Sequence, residues 1–172
     1  MYRRTFVRLS LCALGAGCTA TVAPGPQEPQ WRKHFASLQR DAILINTDER
    51  MLHYWRQGGA EYRAYPVGVA ESPELLRTGQ THVVAKEVDP AWGPTPAMLR
   101  RNPNLPRYIP PGPDNPLGSH SLHLSWKYYQ IHGTDDPASV GRKSTSGCFR
   151  LMNAHVETLY RLVRVGTPVV VV

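Results

Sequence analysis

Cysteine is scarce in this chain: three residues in 172, at positions 12, 18 and 148. Cys12 and Cys18 fall in a leading segment that reads as an export signal, which leaves the folded part with Cys148 alone. A single thiol excludes an internal disulfide. In an oxidising exported compartment it is either buried and inert or kept for its reactivity. Phenylalanine (three) and methionine (four) are also few, against sixteen prolines and fourteen glycines. That balance excludes a helical bundle and favours a turn-rich, mostly β domain with a modest core. The length leaves no room for two comfortable domains, no internal repeat is visible, and no apolar run approaches the roughly twenty residues of a membrane-spanning helix. A Lys/Arg stripe interleaved with aromatics is missing as well. The formal charge is +7, but Arg3, Arg4 and Arg8 belong to the leading segment, and about +4 remains without them. That is an ordinary surface excess, suited to acidic polymers or anionic headgroups, and it excludes nucleic acid as a partner.

What the first residues do contain is organised. Residues 1–18 place Arg3, Arg4 and Arg8 ahead of the apolar Leu9 to Ala16, then small residues running into Cys18, the order of a removable export signal. Arg3 to Arg8 resembles the twin-arginine signal. Leu14-Gly15-Ala16-Gly17-Cys18 resembles the lipobox of bacterial lipoproteins, with the leucine one position early. Lipidation of Cys18, giving a membrane anchor, and simple cleavage near Ala20 or Ala23 both remain open. Residues 19–30 carry three prolines and little to bury, and read as a tether; Trp31 to Arg40 reads as a short helix leading into a domain over 41–172.

From Asp41 the pattern becomes β. Ala42 to Ile45 and Met51 to Trp55, separated by Asn46-Thr47-Asp48-Glu49, form a hairpin. Glu61 to Val69 alternates around Pro66, which assigns it to an edge or a bulge. Thr81 to Val88, Ser121 to Ser125 and Tyr128 to His132 are further strands. Between them, Ala91 to Gly118 holds eight prolines. A connection of that length is a binding loop or lid, or else an insertion, with a short helix near Ala97 to Arg101. Asn153 is placed to cap a helix from Ala154 to about Val165, with Val156, Leu159, Tyr160 and Val163 on one core-facing side. Gly166 ends it, and Pro168 to Val172 reads as a buried final strand.

The segment from Ile131 to Leu151 concentrates the chemistry. A thiol reacts as thiolate, so its site must supply a base and positive charge; His132 and Arg150 are the candidates. Sixteen positions separate His132 from Cys148, too many for one helical face, so contact requires the chain to double back. Asp135-Asp136-Pro137 and Gly141 offer turns for that return. Gly133 permits close approach of a carbonyl that would hold the imidazole tautomer, and Gly147 an amide facing a developing oxyanion. Either glycine alone is equally a turn residue.

His132-Gly133-Thr134, followed by Thr145-Ser146-Gly147-Cys148-Phe149-Arg150-Leu151, resembles the active-site motif of the L,D-transpeptidases, the YkuD-type catalytic domain. The likeness extends through Tyr65-Pro66-Val67-Gly68, Pro90 to Thr95, Pro111 to Gly118 and Val165 to Val169. Two positions depart from the family pattern: Ser146 stands where a histidine is usual, and Arg77-Thr78-Gly79-Gln80 lacks the Thr-Pro-x-Gly form. The resemblance implies a mostly β, mixed sandwich or barrel-like catalytic fold with one or two short helices. It also implies a cysteine acyltransferase working on peptidoglycan stem peptides. His132, oriented by Gly133, would activate Cys148 to form an acyl-enzyme with a tetrapeptide stem and expel D-alanine. An amine from a second stem, or from a lipoprotein, would resolve it. Arg150 would bind a substrate carboxylate or lower the thiol pKa, with a structural role as the alternative, and Ser146 and Gly147 would contact substrate. No cofactor is expected.

Rival readings have their own signatures. His120 and His123 would suggest metal, but no carboxylate or cysteine is near in sequence, and strand positions three apart face opposite sides. NlpC- and papain-like peptidases place cysteine before histidine, the reverse of this chain. A hydrolase on the same scaffold, releasing the acyl group to water, and a non-catalytic wall-binding lipoprotein stay open.

Overall fold

The computed structural model describes residues 30–172; the expected export signal, Cys18 and most of the tether lie outside them. β1 (Ala42–Asn46) ends where Asn46 Oδ1 accepts from the amides of Asp48 and Glu49, both at 3.1 Å. This side-chain turn hands the chain to β2 (Met51–Trp55), antiparallel to β1. Ile43, Ile45, Leu52 and Tyr54 enter the main core, while Ala42, Leu44 and Trp55 join Leu38 and Val170 in a smaller cluster on the other face of the sheet. Burial on both faces explains the unbroken apolar run of β1. Half-buried Trp31 and Phe35 pack on that second cluster. The helix expected over Trp31 to Arg40 is only a 3-10 turn at Gln30–Lys33. The Leu38 carbonyl accepts instead from Gly58 N at 2.8 Å, across the chain.

β3 (Tyr62–Pro66) pairs with β2 and lies at one edge of the sheet, consistent with its proline. Beyond it run β4 (Val69–Ala70) and β5 (Gly79–Val88), then α1 (Pro96–Arg101), β6 (His120–Leu124), β7 (Gln130–His132), β8 (Lys143–Thr145), β9 (Phe149–Arg150), α2 (Asn153–Leu162) and β10 (Pro168–Val171). The eight-stranded sheet has the order β3-β2-β1-β10-β5-β6-β7-β9. β10 is inserted centrally, parallel to β1 and antiparallel to β5. β5 meets β10 with its first half and β6 with its second, changing partners at a bulge between Val83 and Ala85. Gly68, just past β3, exchanges two hydrogen bonds with Arg150 of β9, at 2.8 and 2.9 Å. The sheet thereby curls into a half-barrel, and the expected mostly β fold with two helices is the one observed.

α2 packs across β6 and β7 and buries Val156 and Leu159. It stops at Leu162, three residues earlier than its apolar pattern predicts. Lys86 Nζ donates to the carbonyls of Tyr160 (2.5 Å) and Val163 (2.7 Å), taking up acceptors that a longer helix would use internally.

The proline-rich segment from Ala91 to Gly118 is tied at its neck by two bonds between Trp92 and Ile109, each 2.9 Å, and carries α1, capped by Thr95. Asn115, 1% exposed, holds its interior. Asn115 Nδ2 donates among the carbonyls of Pro90, Ile109 and Pro110 (2.9–3.2 Å), and Oδ1 accepts from Leu117 N at 2.9 Å. Asn115→Ala strands these backbone groups without water and is expected to cost about 3 kcal/mol. Denaturant melts check the cost, and a substrate KM that rises more than kcat falls would show that the segment is part of the binding wall.

Candidate active site

Strand alternation assembles the site. Ile131 pairs with Phe149 and His132 with Arg150 along the parallel β7–β9 ladder. Ile131 and Phe149 are fully buried in the core. His132, Arg150 and Cys148, the last just ahead of β9, therefore project to the other face. The return from His132 to Cys148 is built from the expected turn residues. Thr134 Oγ1 accepts from Asp136 N (2.9 Å), Asp136 Oδ1 accepts from Ala138 N (3.1 Å) to open the 3-10 turn Pro137–Ser139, and Gly141 turns the chain at φ 77°. Cys148, His132 and Arg150 share a cavity of about 180 Å³ walled by Trp92, Met98 and Leu117 of the long segment. That segment is thus a wall of the site.

His132 is 4% exposed, and its Nδ1 donates to the Gly133 carbonyl at 2.7 Å. A carbonyl only accepts, so this bond fixes the proton on Nδ1 and leaves a lone pair on Nε2. Burial, aided by the Arg150 charge and opposed by the Gly133 bond, lowers His132 to about 4. Burial raises Cys148 to about 11, opposed by a backbone hydrogen bond from Gln130 and then by the Arg150 charge. The pair rests as neutral imidazole and neutral thiol. Cys148 is partly exposed, and Sγ donates to the Tyr128 carbonyl at 3.3 Å. Tyr128 adopts φ 70°, a left-handed conformation unusual for tyrosine.

Arg150 lies beside this pair. Its Nη1 donates to Ser139 Oγ at 2.8 Å, its buried Nε has no partner, and it forms no ion pair among the described residues. Ser146 is exposed on the cavity rim. The Gly147 amide, expected to face an oxyanion, donates to Thr145 Oγ1 at 3.2 Å, and Thr145 Oγ1 itself donates to the Cys148 carbonyl at 2.7 Å. Gly147 has φ 125°, and a Cβ there would meet the Leu75 carbonyl at 3.0 Å, so both backbone and space demand glycine.

Two structural residues escaped the sequence reading. Thr145 knits the turn before the thiol. Asn153, expected to cap α2, opens that helix without capping it. Its Oδ1 accepts from Thr134 N (3.0 Å) and Ser119 N (3.3 Å), and its Nδ2 donates to Thr134 O (2.9 Å). No periodicity marks either role. His123 pairs with Glu87 at 3.1 Å across β5–β6, a carboxylate that the sequence around it does not reveal. His120 packs on the Tyr160 ring.

The family described as YkuD, the L,D-transpeptidase catalytic domain, matches residues 40–171. The chain belongs to the YkuD L,D-transpeptidase family. A putative L,D-transpeptidase of Fuscovulum blasticum is 43% identical over 148 residues, covering 86% of this chain and 78% of that protein. The probable L,D-transpeptidase ErfK/SrfK of Escherichia coli (strain K12) is 33% identical over 138 residues, covering 77% of this chain and 44% of its own length. The chain therefore spans less than half of that relative. Among solved structures, L,D-transpeptidase 3 from Mycobacterium tuberculosis superposes with a TM-score of 0.62 at 14% identity, covering 77% of this chain and 60% of that one. The imipenem complex of the L,D-transpeptidase LdtMt1 gives 0.58 at 18% identity, covering 77% and 59%. These structures share the L,D-transpeptidase fold.

Proposed function

We propose that this L,D-transpeptidase is a cysteine acyltransferase acting on peptidoglycan stem peptides in the cell envelope. Cys148 Sγ attacks the carbonyl at the L-centre of meso-diaminopimelic acid in a tetrapeptide stem. The thiol proton passes to His132 Nε2, the peptide C–N bond breaks, and the same proton leaves on D-alanine. A second amine, from another stem or a lipoprotein, then attacks the thioester. It yields its proton through His132 to the departing sulfur, giving an amide and free enzyme. The observation that carries this reading is the His132 Nδ1 bond to Gly133 O, because it leaves Nε2 unprotonated on a histidine that lines the same cavity as the thiol. Since both groups rest neutral, the proton moves as the S–C bond forms. Arg150 lines the cavity and forms no ion pair among the described residues, which suits a substrate carboxylate; exposed Ser146 stands on the rim past which the substrate carbonyl enters, and buried Gly147 shapes the backbone behind it. The leading segment supports an exported protein with Cys18 as its lipid anchor, and uptake of labelled palmitate by the wild type but not by Cys18→Ala would test that anchor.

Intact mass after incubation with a tetrapeptide stem or a carbapenem tests the chemistry. Wild-type protein is expected to gain one acyl group, and Cys148→Ala none. An unmodified wild type, or an equally modified variant, overturns the reading. A cross-linked dimer among the products supports transfer, whereas tripeptide alone would make the protein a hydrolase.

A further inference from the structure

The thiol has a second neighbourhood, away from the Arg150 cavity. Tyr129 Oη donates to Leu75 O at 3.1 Å, and Trp126 packs edge-on against Tyr129 with ring centroids 5.7 Å apart. Leu75 O and the Tyr129 ring both abut Gly147, at 3.0 and 3.3 Å from the place a Cβ would take. The Tyr128 carbonyl that holds the Cys148 thiol belongs to the same β6–β7 turn. None of these five residues lines the Arg150 cavity. They form a ledge on another side of the nucleophile.

Arg77 lies on this ledge, its guanidinium carbon 4.6 Å from the centroid of the Trp126 ring. It is exposed and makes no ion pair or side-chain hydrogen bond among the described residues. Trp126 is 8% exposed and cannot easily move. A guanidinium resting on a fixed indole face loses rotational freedom but keeps its in-plane N–H groups free, the arrangement that takes a carboxylate by two parallel hydrogen bonds. Through Trp126 and the Tyr129 ring this cation is joined to Gly147, the residue before the thiol.

We propose that Arg77 binds the carboxylate of the second, amine-bearing substrate, seated on the Trp126–Tyr129 ledge. The inference rests on the transfer reaction above and deepens it: two guanidiniums serve two peptides, Arg150 the acyl donor and Arg77 the acceptor. An acceptor whose carboxylate adjoins its amine, as at the D-centre of diaminopimelic acid, is held with the amine near the thioester. The acceptor class is then an α-amino carboxylate, and a simple alkylamine is a poor substitute.

Separate measurement of the two half-reactions tests this. Arg77→Ala is expected to change D-alanine release during acylation by less than about twofold. It should raise the acceptor concentration for half-maximal cross-linking about tenfold, the loss of one charge-assisted pair. The wild type should prefer a diaminopimelate-containing tripeptide over the same peptide amidated at the D-centre, and Arg77→Ala should lose that preference. Arg77→Lys, which keeps the charge but not the planar fork, should fall between. A variant that still discriminates between the two acceptors, or one that acylates as poorly as it transfers, overturns the proposal. A wild type that acylates and cross-links without discriminating also overturns it, while leaving the cysteine chemistry standing. A wild type that forms no acyl-enzyme fails the parent reading instead.

Discussion

His132→Gln is expected to slow acylation of Cys148 at neutral pH by on the order of a thousandfold, the usual worth of a positioned base. Gln puts a non-basic amide at the Nε2 end of the imidazole and gives up the Nδ1 bond to the Gly133 carbonyl, so the loss reports the missing base together with its clamp. The pH profile separates this from a packing defect. With His132 at about 4 and Cys148 at about 11, wild-type acylation should be flat between those values and fall as the imidazole protonates below about 4. The variant has no base and depends on the small thiolate fraction. Its rate should climb with each pH unit toward 11, and its deficit should shrink. A deficit that stays constant with pH would mean that His132 only holds structure. The same residue shapes stability. Its folded pKa is depressed below the ordinary 6.5, so as pH falls the unfolded chain binds the proton first and the folded state loses ground between about 6.5 and 4. That loss is on the order of 3 kcal/mol. For Cys148 the folded value is raised above 9.0, the unfolded chain deprotonates first, and stability falls as pH rises from about 9 to 11. Maximum stability is expected between these windows, and denaturant melts of His132→Gln should lack the histidine share of the acid limb.

The parts of this arrangement that were legible in the sequence are those governed by local patterns. Alternation set out the β1–β2 hairpin, Pro66 marked the edge strand, and the flanking glycines pointed to Cys148 and His132, whose shared side of the β7–β9 ladder follows from the same two-residue period. What stayed hidden depends on partners remote in the chain. β10 reads as a buried strand, but its place between β1 and β5 is set by packing across the whole sheet. Phe35 and Leu38 mimic a helical face, while the sheet they cover offers burial without a helix. Glu87 reaches His123 only through strand pairing. Asn153 had a familiar local role available, as a helix cap, and took a distant one.

That distant role makes Gly118→Ala the substitution expected to damage the fold most. Gly118 has φ 63°, and a Cβ there would overlap Asn153 Oδ1 and the backbone of Gly133 and Thr134. The first obstacle is a side chain that can turn away, although only by surrendering its bonds to Ser119 and Thr134. The backbone has no such escape. Gly58 provides the comparison: its φ is 72°, and nothing lies within 4 Å of its would-be Cβ. Gly58→Ala therefore pays only for the left-handed backbone, about 1 kcal/mol, whereas Gly118→Ala should cost about 3 kcal/mol more through overpacking and broken hydrogen bonds. Because the displaced backbone includes Gly133, whose carbonyl holds His132 Nδ1, acylation should fall along with stability, even at temperatures where the variant is fully folded. Asn153→Ala separates the two effects. It leaves space for the backbone but removes the carboxamide, so it should lose about 2 kcal/mol and part of the acylation rate. Equal melting curves for Gly58→Ala and Gly118→Ala would refute the close approach between the long segment and the histidine turn.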